Sequence, residues 1–220
     1  MGIVIAIDGP AGAGKSTIAR SVAQRLGFTY IDSGAMYRAI ALWALRENLD
    51  PADSHRMEQL ARAAEIRLEP AGGVSLNGED VTQAIRESAV SAAASVVAAV
   101  ASVRRALVEK QRAIGAQTNV VMEGRDIGSV VFPAANVKIF LDADPAERVR
   151  RRAQELAADP AHISGEIADR DRRDRARSES PLTQAPDAVY VDSTGLSIEQ
   201  VEEAILRIVR ARITNGKEFR

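Results

Sequence analysis

The sequence contains no cysteine among its 220 residues, so disulfides, a thiolate nucleophile and cysteine-based metal sites are excluded. Histidine occurs only at His55 and His162, and neither has a second histidine at ligand spacing. We expect both imidazoles to be solvated at the surface. An excess of one charge is also missing, because the formal net charge is −1. The chain therefore has no global basic field that would attract nucleic acid or a membrane surface.

Long hydrophobic runs are absent as well. The least polar stretch, residues 89–103, is interrupted by serines and is too short to span a bilayer. The N-terminus lacks the charged region and the cleavage site of a secretory signal. With 46% apolar residues the chain can bury a core as one large or two small domains. We expect a soluble, cytoplasmic protein without a membrane partner.

Glycine is concentrated near the N-terminus, in the pattern G-x-x-x-x-G-K-[ST]. An apolar run at 3–7 precedes this pattern and predicts a buried strand. Residues 16–26 after it carry apolar side chains at helical spacing, with Gly27 at the expected helix stop. A strand, a glycine loop and a helix in this order indicate a phosphate-binding P-loop. Its residues are Gly9, Pro10, Ala11, Gly12, Ala13, Gly14, Lys15, Ser16 and Thr17.

The P-loop predicts that the chain binds a nucleoside triphosphate. Glycines let backbone N–H groups approach phosphate oxygens, and the N-terminus of the following helix favours a polyanion. Lys15 supplies a positive charge for the β- and γ-phosphates, and the Ser16 hydroxyl is placed to bind Mg²⁺.

Short apolar segments alternate with helical patterns along most of the chain, which predicts an α/β fold. The sheet is expected to have five strands, to be mostly parallel and to be flanked by helices. The predicted strands are residues 3–7, 28–31, 120–122, 137–141 and 189–191.

Capping signals accompany several of the predicted helices, which span 16–26, 35–47, 56–64 and an alanine-rich region at 84–113. Asp144, Pro145 and Glu147 predict an N-cap, a proline in the first turn and a reciprocal acid. Ser197 and Gln200 predict a capping box. The final helix that they open has a predicted apolar face formed by Ile198, Val201, Ile205, Ile208 and Val209.

The pattern changes between the third helix and the alanine-rich region. Residues 66–69, 74–76 and 79–82 have the character of short strands, and Asn77-Gly78 between two of them is a strong hairpin signal. We therefore expect a small antiparallel subdomain inserted into the α/β pattern.

Polar clusters follow two predicted strands, at residues 32–34 and 124–126. Ligands of open α/β sheets bind beyond the carboxyl ends of the strands, where the P-loop also lies. Either cluster alone would be ordinary loop polarity. Their joint placement beside a P-loop favours a binding site.

Residues 169–177, Asp-Arg-Asp-Arg-Arg-Asp-Arg-Ala-Arg, allow three interpretations. A nucleic-acid patch is disfavoured, because acids alternate with arginines and would repel a polyanion. A solvated helix with i,i+3 and i,i+4 ion pairs is the plain structural interpretation. A mobile lid that brings arginines over a phosphoryl-transfer site is the functional one, since guanidinium groups bind phosphate oxygens bidentately.

Taken together, the motifs resemble those of the bacterial cytidylate kinases, P-loop nucleoside monophosphate kinases that make CDP and dCDP. The resemblance covers almost the full length, and the motifs that carry it are IDGPAGAGKST, DSGAMYR, VTQAIRESAVSAAASVVAAVASVR, EGRDIGSVVFP, VKIFLDAD, DRDRRDRAR and DSTGLSIEQV. It implies a single P-loop kinase domain with a core at 1–56 and 99–220. A monophosphate-binding insert would occupy 57–98, and an arginine-rich lid would occupy 158–181.

The resemblance also implies roles for individual residues. Ser33, Arg38, Arg125 and Arg177 would hold the acceptor phosphate, with Tyr37 nearby. Ser95, Arg104 and Asp126 would bind the cytosine. Asp174 would bind the sugar hydroxyls, and Arg170 would contact the phosphates in transfer. The expected catalytic residues are thus Lys15, Arg125, Arg170 and Arg177.

The implied reaction is direct, in-line transfer of the γ-phosphoryl group of ATP, with Mg²⁺, to CMP or dCMP. No protein nucleophile is needed, because the acceptor is already an anion. We expect a monomer that has small-molecule substrates and no nucleic-acid partner.

Two alternatives remain open: a P-loop kinase for another nucleotide or small metabolite, and a nucleotide-dependent switch. The switch would require an Asn-Lys-x-Asp guanine motif, which the sequence lacks.

Overall fold

A computed structural model describes residues 2–69 and 72–214 of the chain. The chain divides into two compact units, one formed by Met1–Tyr30 and Thr118–Arg220 and the other by Ile31–Gln117. The helices and strands in chain order are β1 (Val4–Asp8), α1 (Lys15–Leu26), β2 (Thr29–Asp32), α2 (Ser33–Arg46), α3 (Ser54–Ala63), β3 (Ile66–Leu68), β4 (Val74–Leu76), β5 (Glu79–Asp80), α4 (Ser88–Val97), α5 (Ala101–Gln117), β6 (Val120–Gly124), β7 (Val137–Asp142), α6 (Pro145–Leu156), α7 (Pro160–Ala176), β8 (Val189–Asp192) and α8 (Ile198–Thr214).

The predicted α/β fold and its five-stranded sheet are confirmed. The strand order is β2-β6-β1-β7-β8, and β1 pairs in parallel with both β6 and β7. All five residues of β1 are buried, which explains why its first four residues are all apolar. Because β1 is the central strand, the P-loop that follows it lies at the middle of the sheet's carboxyl edge.

The core of the first unit lies between the sheet and two of its helices. Ile5 and Ile7 of β1 pack in one cluster with apolar residues of α1 and α8. The predicted capping box of α8 is confirmed, since the Ser197 N–H donates to Gln200 Oε1 at 2.9 Å. The predicted apolar face of α8 is wrong at Ile198, which is 53% exposed because it lies in the first turn, beyond the edge of the core.

The start of α6 is as predicted at two of its three positions. Asp144 is the N-cap and accepts a hydrogen bond from the Ala146 N–H, and Pro145 lies in the first turn. The predicted reciprocal acid is wrong. Glu147 instead pairs with Arg150 and Arg151 at 2.7 and 2.8 Å, because charged hydrogen bonds to guanidinium are stronger than one to a backbone N–H.

The second unit contains the predicted antiparallel sheet, in the order β3-β4-β5. Ile66 pairs with Leu76, and Leu76 pairs with Glu79 across the turn. Asn77 has φ 52° and Gly78 has φ 86°, so both central residues of the turn are left-handed. This is the backbone of a type I′ hairpin, as the Asn-Gly pair predicts.

The alanine-rich region is not one continuous helix. It forms a 3₁₀ turn (Ala84–Arg86) and then α4 and α5, whose axes are bent by 99° at the break between them. The break is supported by Arg104, whose Nη1 donates to the carbonyl of Ala98 at 3.1 Å. A uniform run of small residues does not reveal such a break, because either conformation satisfies its periodicity.

Among residues 2–69 and 72–214, no single helix is long and apolar enough to cross a membrane. The pair α4 and α5 meets that test only when its two bent halves are taken together.

Two glycines test the backbone interpretation directly. A Cβ at Gly78 or at Gly165 would have no heavy atom within 4 Å, but only Gly78 has a positive φ. We expect Gly78→Ala to lower the free energy of unfolding by about 1–2 kcal/mol through left-handed strain. Gly165→Ala, within α7, should raise it by roughly 0.5–1 kcal/mol. Urea unfolding measures both, and equal effects of the same sign would contradict the assigned turn.

Candidate active site

The P-loop connects the central strand to a helix that has no side-chain N-cap. Gly14 precedes α1 with φ 87° and no capping side chain, so the first N–H groups of α1 remain for a ligand. Gly12 is equally restricted, because a Cβ there would lie 2.7 Å from the carbonyl oxygen of Arg148. The loop therefore provides a closely packed cradle of backbone donors suited to phosphate.

A buried ion pair holds the first turn of the P-loop. Arg148 of α6 donates from Nη1 to Asp171 Oδ2 of α7 at 2.6 Å and to the carbonyl of Ala11 at 3.0 Å. Asp171 Oδ1 accepts from the N–H of Ala11 at 3.3 Å. Both polar groups of Ala11 are thus bound by side chains from the helices that follow β7. Sequence reasoning missed Arg148 and Asp171, because alternating charges alone do not show which of them are buried.

Lys15 is 5% exposed, and its Nζ donates to the carbonyl of Pro10 at 2.7 Å. Burial and, to a smaller extent, the nearby cations Arg125 and Arg170 together lower the pKa of Lys15 to about 7. Glu123 and Asp174 oppose this effect. A cation held among other cations stabilises an added anion, which is the electrostatic requirement of a polyphosphate site.

Arg125 and Arg177 share one buried carboxylate. The Arg125 Nε lies 2.9 Å from Asp174 Oδ2, and Arg177 pairs with the other oxygen of Asp174. Burial raises the pKa of Asp174, but the three arginines, including Arg170, outweigh it and hold that pKa below its usual range. Asp174 thus positions the two guanidinium groups in this conformation. Asp174 is 1% exposed, so its predicted contact with sugar hydroxyls would require a rearrangement that uncovers this carboxylate.

The arginine-rich run is not a simple solvated helix. All of it except Arg177, which follows the last turn, lies in α7, and the exposed Arg172–Asp169 pair at 3.1 Å fits the plain i,i+3 pattern. Asp171 and Asp174, however, are 3% and 1% exposed and pair outside the run with residues of α6 and of the loop after β6. This face of α7 therefore packs against α6 and the loop after β6.

Asp126 lies directly after Arg125 and is buried. The residues that follow it form a π-helical turn (Ile127–Val131). Asp8 Oδ1 and Oδ2 accept hydrogen bonds from the N–H groups of Ile127 and Gly128 at 2.8 and 2.7 Å. Burial raises the pKa of Asp8 to about 7, although these two hydrogen bonds lower it. Sequence reasoning did not single out Asp8, although it is the only charged residue of β1.

Ser16 and Thr17 lie in the exposed first turn of α1. Within the described ranges no group of three acidic or histidine side chains could enclose a metal ion. Mg²⁺ in phosphate sites keeps water and phosphate ligands and needs only one or two protein oxygens. The exposed Ser16 hydroxyl fits such a partial ligand set.

The remaining predicted site residues belong to the second unit. Asp32 caps α2 by accepting from the Ala35 N–H, and its other oxygen pairs with Arg38 at 2.7 Å. Ser33 is buried beside it at the start of α2. The Asp32–Arg38 pair and the buried Ser33 thus lie together at the start of α2.

A second group in this unit centres on Arg104, which is 2% exposed. Its guanidinium lies 5.3 Å from the centre of the Tyr37 ring, a cation–π contact. Ser95 is 4% exposed, and its Oγ has no hydrogen-bond partner within the described part of the chain. A buried hydroxyl without a partner is costly, which favours a role in ligand binding.

The two histidines are exposed, as predicted. His55 contacts Gln59 one turn along α3, and His162 lies 3.2 Å from Glu166 in α7.

The family model described as cytidylate kinase matches residues 5–211 of the chain. The chain belongs to the cytidylate kinase family. The P-loop, the buried cations beside it and the arginine-rich helix α7 all lie within the matched residues. The alternative of a nucleotide-dependent switch is not favoured by this membership.

Curated relatives agree with the family model. A cytidylate kinase from Solibacter usitatus (strain Ellin6076) is 65% identical over 99% of this chain and 96% of its own length. One from Pelotomaculum thermopropionicum is 50% identical over 97% of this chain and 96% of its own length. A bifunctional pantoate ligase/cytidylate kinase from Parasynechococcus marenigrum is 47% identical, and this chain spans 44% of it. The chain is therefore an enzyme of the transferase class.

Solved structures add agreement on the fold alone. A gluconokinase from Sinorhizobium meliloti 1021 superposes with a TM-score of 0.53 at 12% identity, covering 97% of this chain and 94% of its own. An uncharacterized protein from Eubacterium ventriosum gives 0.54 at 10% identity, covering 95% and 99%.

Lys15 provides a stability test of the charge arrangement. Its pKa is about 7 in the folded chain and 10.5 at its ordinary value, so between these values the unfolded chain binds the extra proton. The free energy of unfolding should therefore rise with pH from about 7 to 10.5. We expect Lys15→Met to remove this rise and to stabilise the protein at pH 7 by about 1 kcal/mol or more.

Lys138 is the matched control. It is 8% exposed, so it is buried as Lys15 is, but its Nζ lies 2.8 Å from an Asp187 carboxylate oxygen. Lys138→Met should destabilise the protein at pH 7 and leave the rise with pH in place. Thermal unfolding of both variants across this pH range measures the difference. Destabilisation of the same size in both would contradict the proposed electrostatic cost at Lys15.

Proposed function

We propose that this chain transfers the γ-phosphoryl group of ATP to CMP and dCMP, forming CDP and dCDP, with Mg²⁺ on the donor. The observation that carries the proposal is the cluster of Lys15, Arg125 and Arg170 beside the P-loop, where burial and then repulsion between these cations lower the Lys15 pKa. Such a cluster stabilises charge that spreads over the phosphoryl oxygens during transfer.

In this mechanism the P-loop N–H groups and Lys15 hold the β- and γ-phosphates of ATP. Mg²⁺, when bound, would neutralise phosphate charge, and Ser16 is its proposed protein ligand. Arg170 would contact the phosphoryl group in transfer. Arg125 and Arg177 would bind the acceptor phosphate, together with Ser33 and Arg38 of the second unit and with Tyr37 nearby. The chain itself supplies no nucleophile, because the acceptor phosphate attacks directly.

The proposed base contacts are Asp126, Ser95 and Arg104. Cytosine presents an amino donor at N4 and acceptors at N3 and O2. A carboxylate, a guanidinium and a hydroxyl satisfy this edge, whereas the O4 carbonyl of uracil would face the Asp126 carboxylate. Two observations in the second unit support this assignment. The buried Ser95 hydroxyl has no hydrogen-bond partner within the described part of the chain, and the Arg104 guanidinium is fixed against the Tyr37 ring.

The insert at 57–98 and the lid at 158–181 would exclude water from the phosphoryl group, and Asp174 would bind the sugar when the lid rearranges. We further propose that the enzyme acts as a cytoplasmic monomer in pyrimidine metabolism, on small-molecule substrates and without nucleic acid. A kinase for another acceptor has less support, because it would have no use for the three base contacts.

Base discrimination tests the proposal. In the Asp126→Asn variant the side-chain amide can donate a hydrogen bond as well as accept one, so it no longer repels the O4 carbonyl of uracil. We expect kcat/KM for CMP to fall about tenfold or more and the CMP-to-UMP ratio to shrink, while KM for ATP changes less than twofold. The measurement is steady-state turnover of both monophosphates at saturating Mg·ATP.

The control is Asp53→Asn, at the N-cap of α3, where asparagine caps equally well. This variant should keep the wild-type ratio. An unchanged ratio in Asp126→Asn would show that Asp126 does not bind the base.

A further inference from the structure

The backbone of Asp8 is part of β1, the strand before the P-loop, whereas its side chain binds the turn that follows Asp126. It ends β1 and immediately precedes Gly9, the first residue of the P-loop. Its two carboxylate oxygens are used separately, one by the N–H of Ile127 and the other by the N–H of Gly128. Asp8 is 5% exposed, so these hydrogen bonds form away from water.

The two N–H groups that Asp8 binds open the π-helical turn. At the start of any helical turn the first N–H groups have no partner within the turn itself. The carboxylate of Asp8 fills this role from the neighbouring strand, and its negative charge suits the positive end of the turn. On the other side, the Asp126 carbonyl accepts from the N–H groups of Val130 and Val131 at 2.9 and 3.1 Å. The two hydrogen bonds that Asp8 accepts from the turn thus help to fix the backbone conformation at Asp126.

Close packing at Gly128 supports the same conclusion independently. A Cβ at this position would lie 3.3 Å from Asp8 Oδ2 and 3.2 Å from the Lys138 side chain. The φ of Gly128 is not in the left-handed region, so backbone conformation does not require glycine here. The turn is therefore seated directly against the Asp8 carboxylate.

We propose that Asp8 is a positioning residue that sets the Arg125–Asp126 segment in register with the P-loop, an inference that rests on the proposed function. Asp8 immediately precedes the P-loop, which would bind the donor phosphates. Its side chain anchors the segment that would bind the acceptor. Phosphoryl transfer requires in-line alignment of the two substrates, and misplacement by about 1 Å can cost a factor of about 10² in rate.

The test compares Asp8→Asn with wild type at pH 8, above the pKa of Asp8. Asparagine keeps one acceptor oxygen and turns an NH₂ group toward the second backbone N–H. We expect kcat with CMP to fall about thirtyfold or more, while the dissociation constant of a non-hydrolysable ATP analogue changes less than threefold. The double variant Asp8→Asn/Asp126→Asn should lose less in kcat/KM for CMP than the product of the two single losses, because both act on one loop.

The control for lost stability is Ile205→Ala in α8, which creates a cavity in the core far along the chain from both loops. It should lower the melting temperature and leave kcat unchanged at temperatures where it is folded. If Asp8→Asn does not fold, Gly128→Ala tests the same contact with the carboxylate kept, and it should lower kcat with ATP affinity retained.

Three results would overturn the inference: a kcat within threefold of wild type, a parallel loss of ATP affinity, or strictly multiplicative effects in the double variant. Wild-type turnover of CMP reports separately on the proposed function. A wild-type enzyme that uses CMP while the Asp8 and Gly128 variants match it would refute the positioning role alone. A wild-type enzyme that does not use CMP would refute both.

Discussion

The structure depends on one electrostatic constraint: positive charges must be held close together before a polyphosphate arrives. Burial and the neighbouring Arg125 and Arg170 lower the pKa of Lys15 to about 7. Glu123 and Asp174 oppose this shift, and Asp174 is shared by two arginines. Holding these cations close together lowers folding stability. It also strengthens phosphate binding and transition-state stabilisation, because preorganised charge needs no rearrangement during the reaction.

Two sets of buried polar contacts in the first unit hold the loops that carry this charge cluster. The buried Arg148–Asp171 pair fixes both polar groups of Ala11, so α6 and α7 define the shape of the P-loop. Asp8 links the same loop to the segment that carries Arg125. Each support includes a buried carboxylate or guanidinium that hydrogen-bonds to backbone groups of a loop, which gives rigid positions at the expense of desolvation.

Local rules predicted the fold well, whereas burial within charged segments escaped them. The P-loop, the central strand and the Asn77-Gly78 turn follow from residue pattern and backbone conformation alone. The break between α4 and α5 does not, because small residues leave helical periodicity uninterrupted. Asp171 and Asp174 look like solvated partners of nearby arginines in sequence, yet their burial comes from contacts with α6 and the loop after β6. Asp8 was overlooked for a related reason, since only the parallel pairing of β1 with β6 brings residue 127 to it.

The central claim is that this cation cluster serves transfer between ATP and a cytidine monophosphate. The most direct measurement is a coupled assay of the purified wild-type chain with Mg·ATP and, in turn, CMP, dCMP, UMP, AMP and GMP. Our account predicts turnover with CMP and dCMP at a kcat/KM at least about tenfold above that with UMP, and little with the purine nucleotides. Equal use of UMP, or preference for a purine nucleotide, would contradict it.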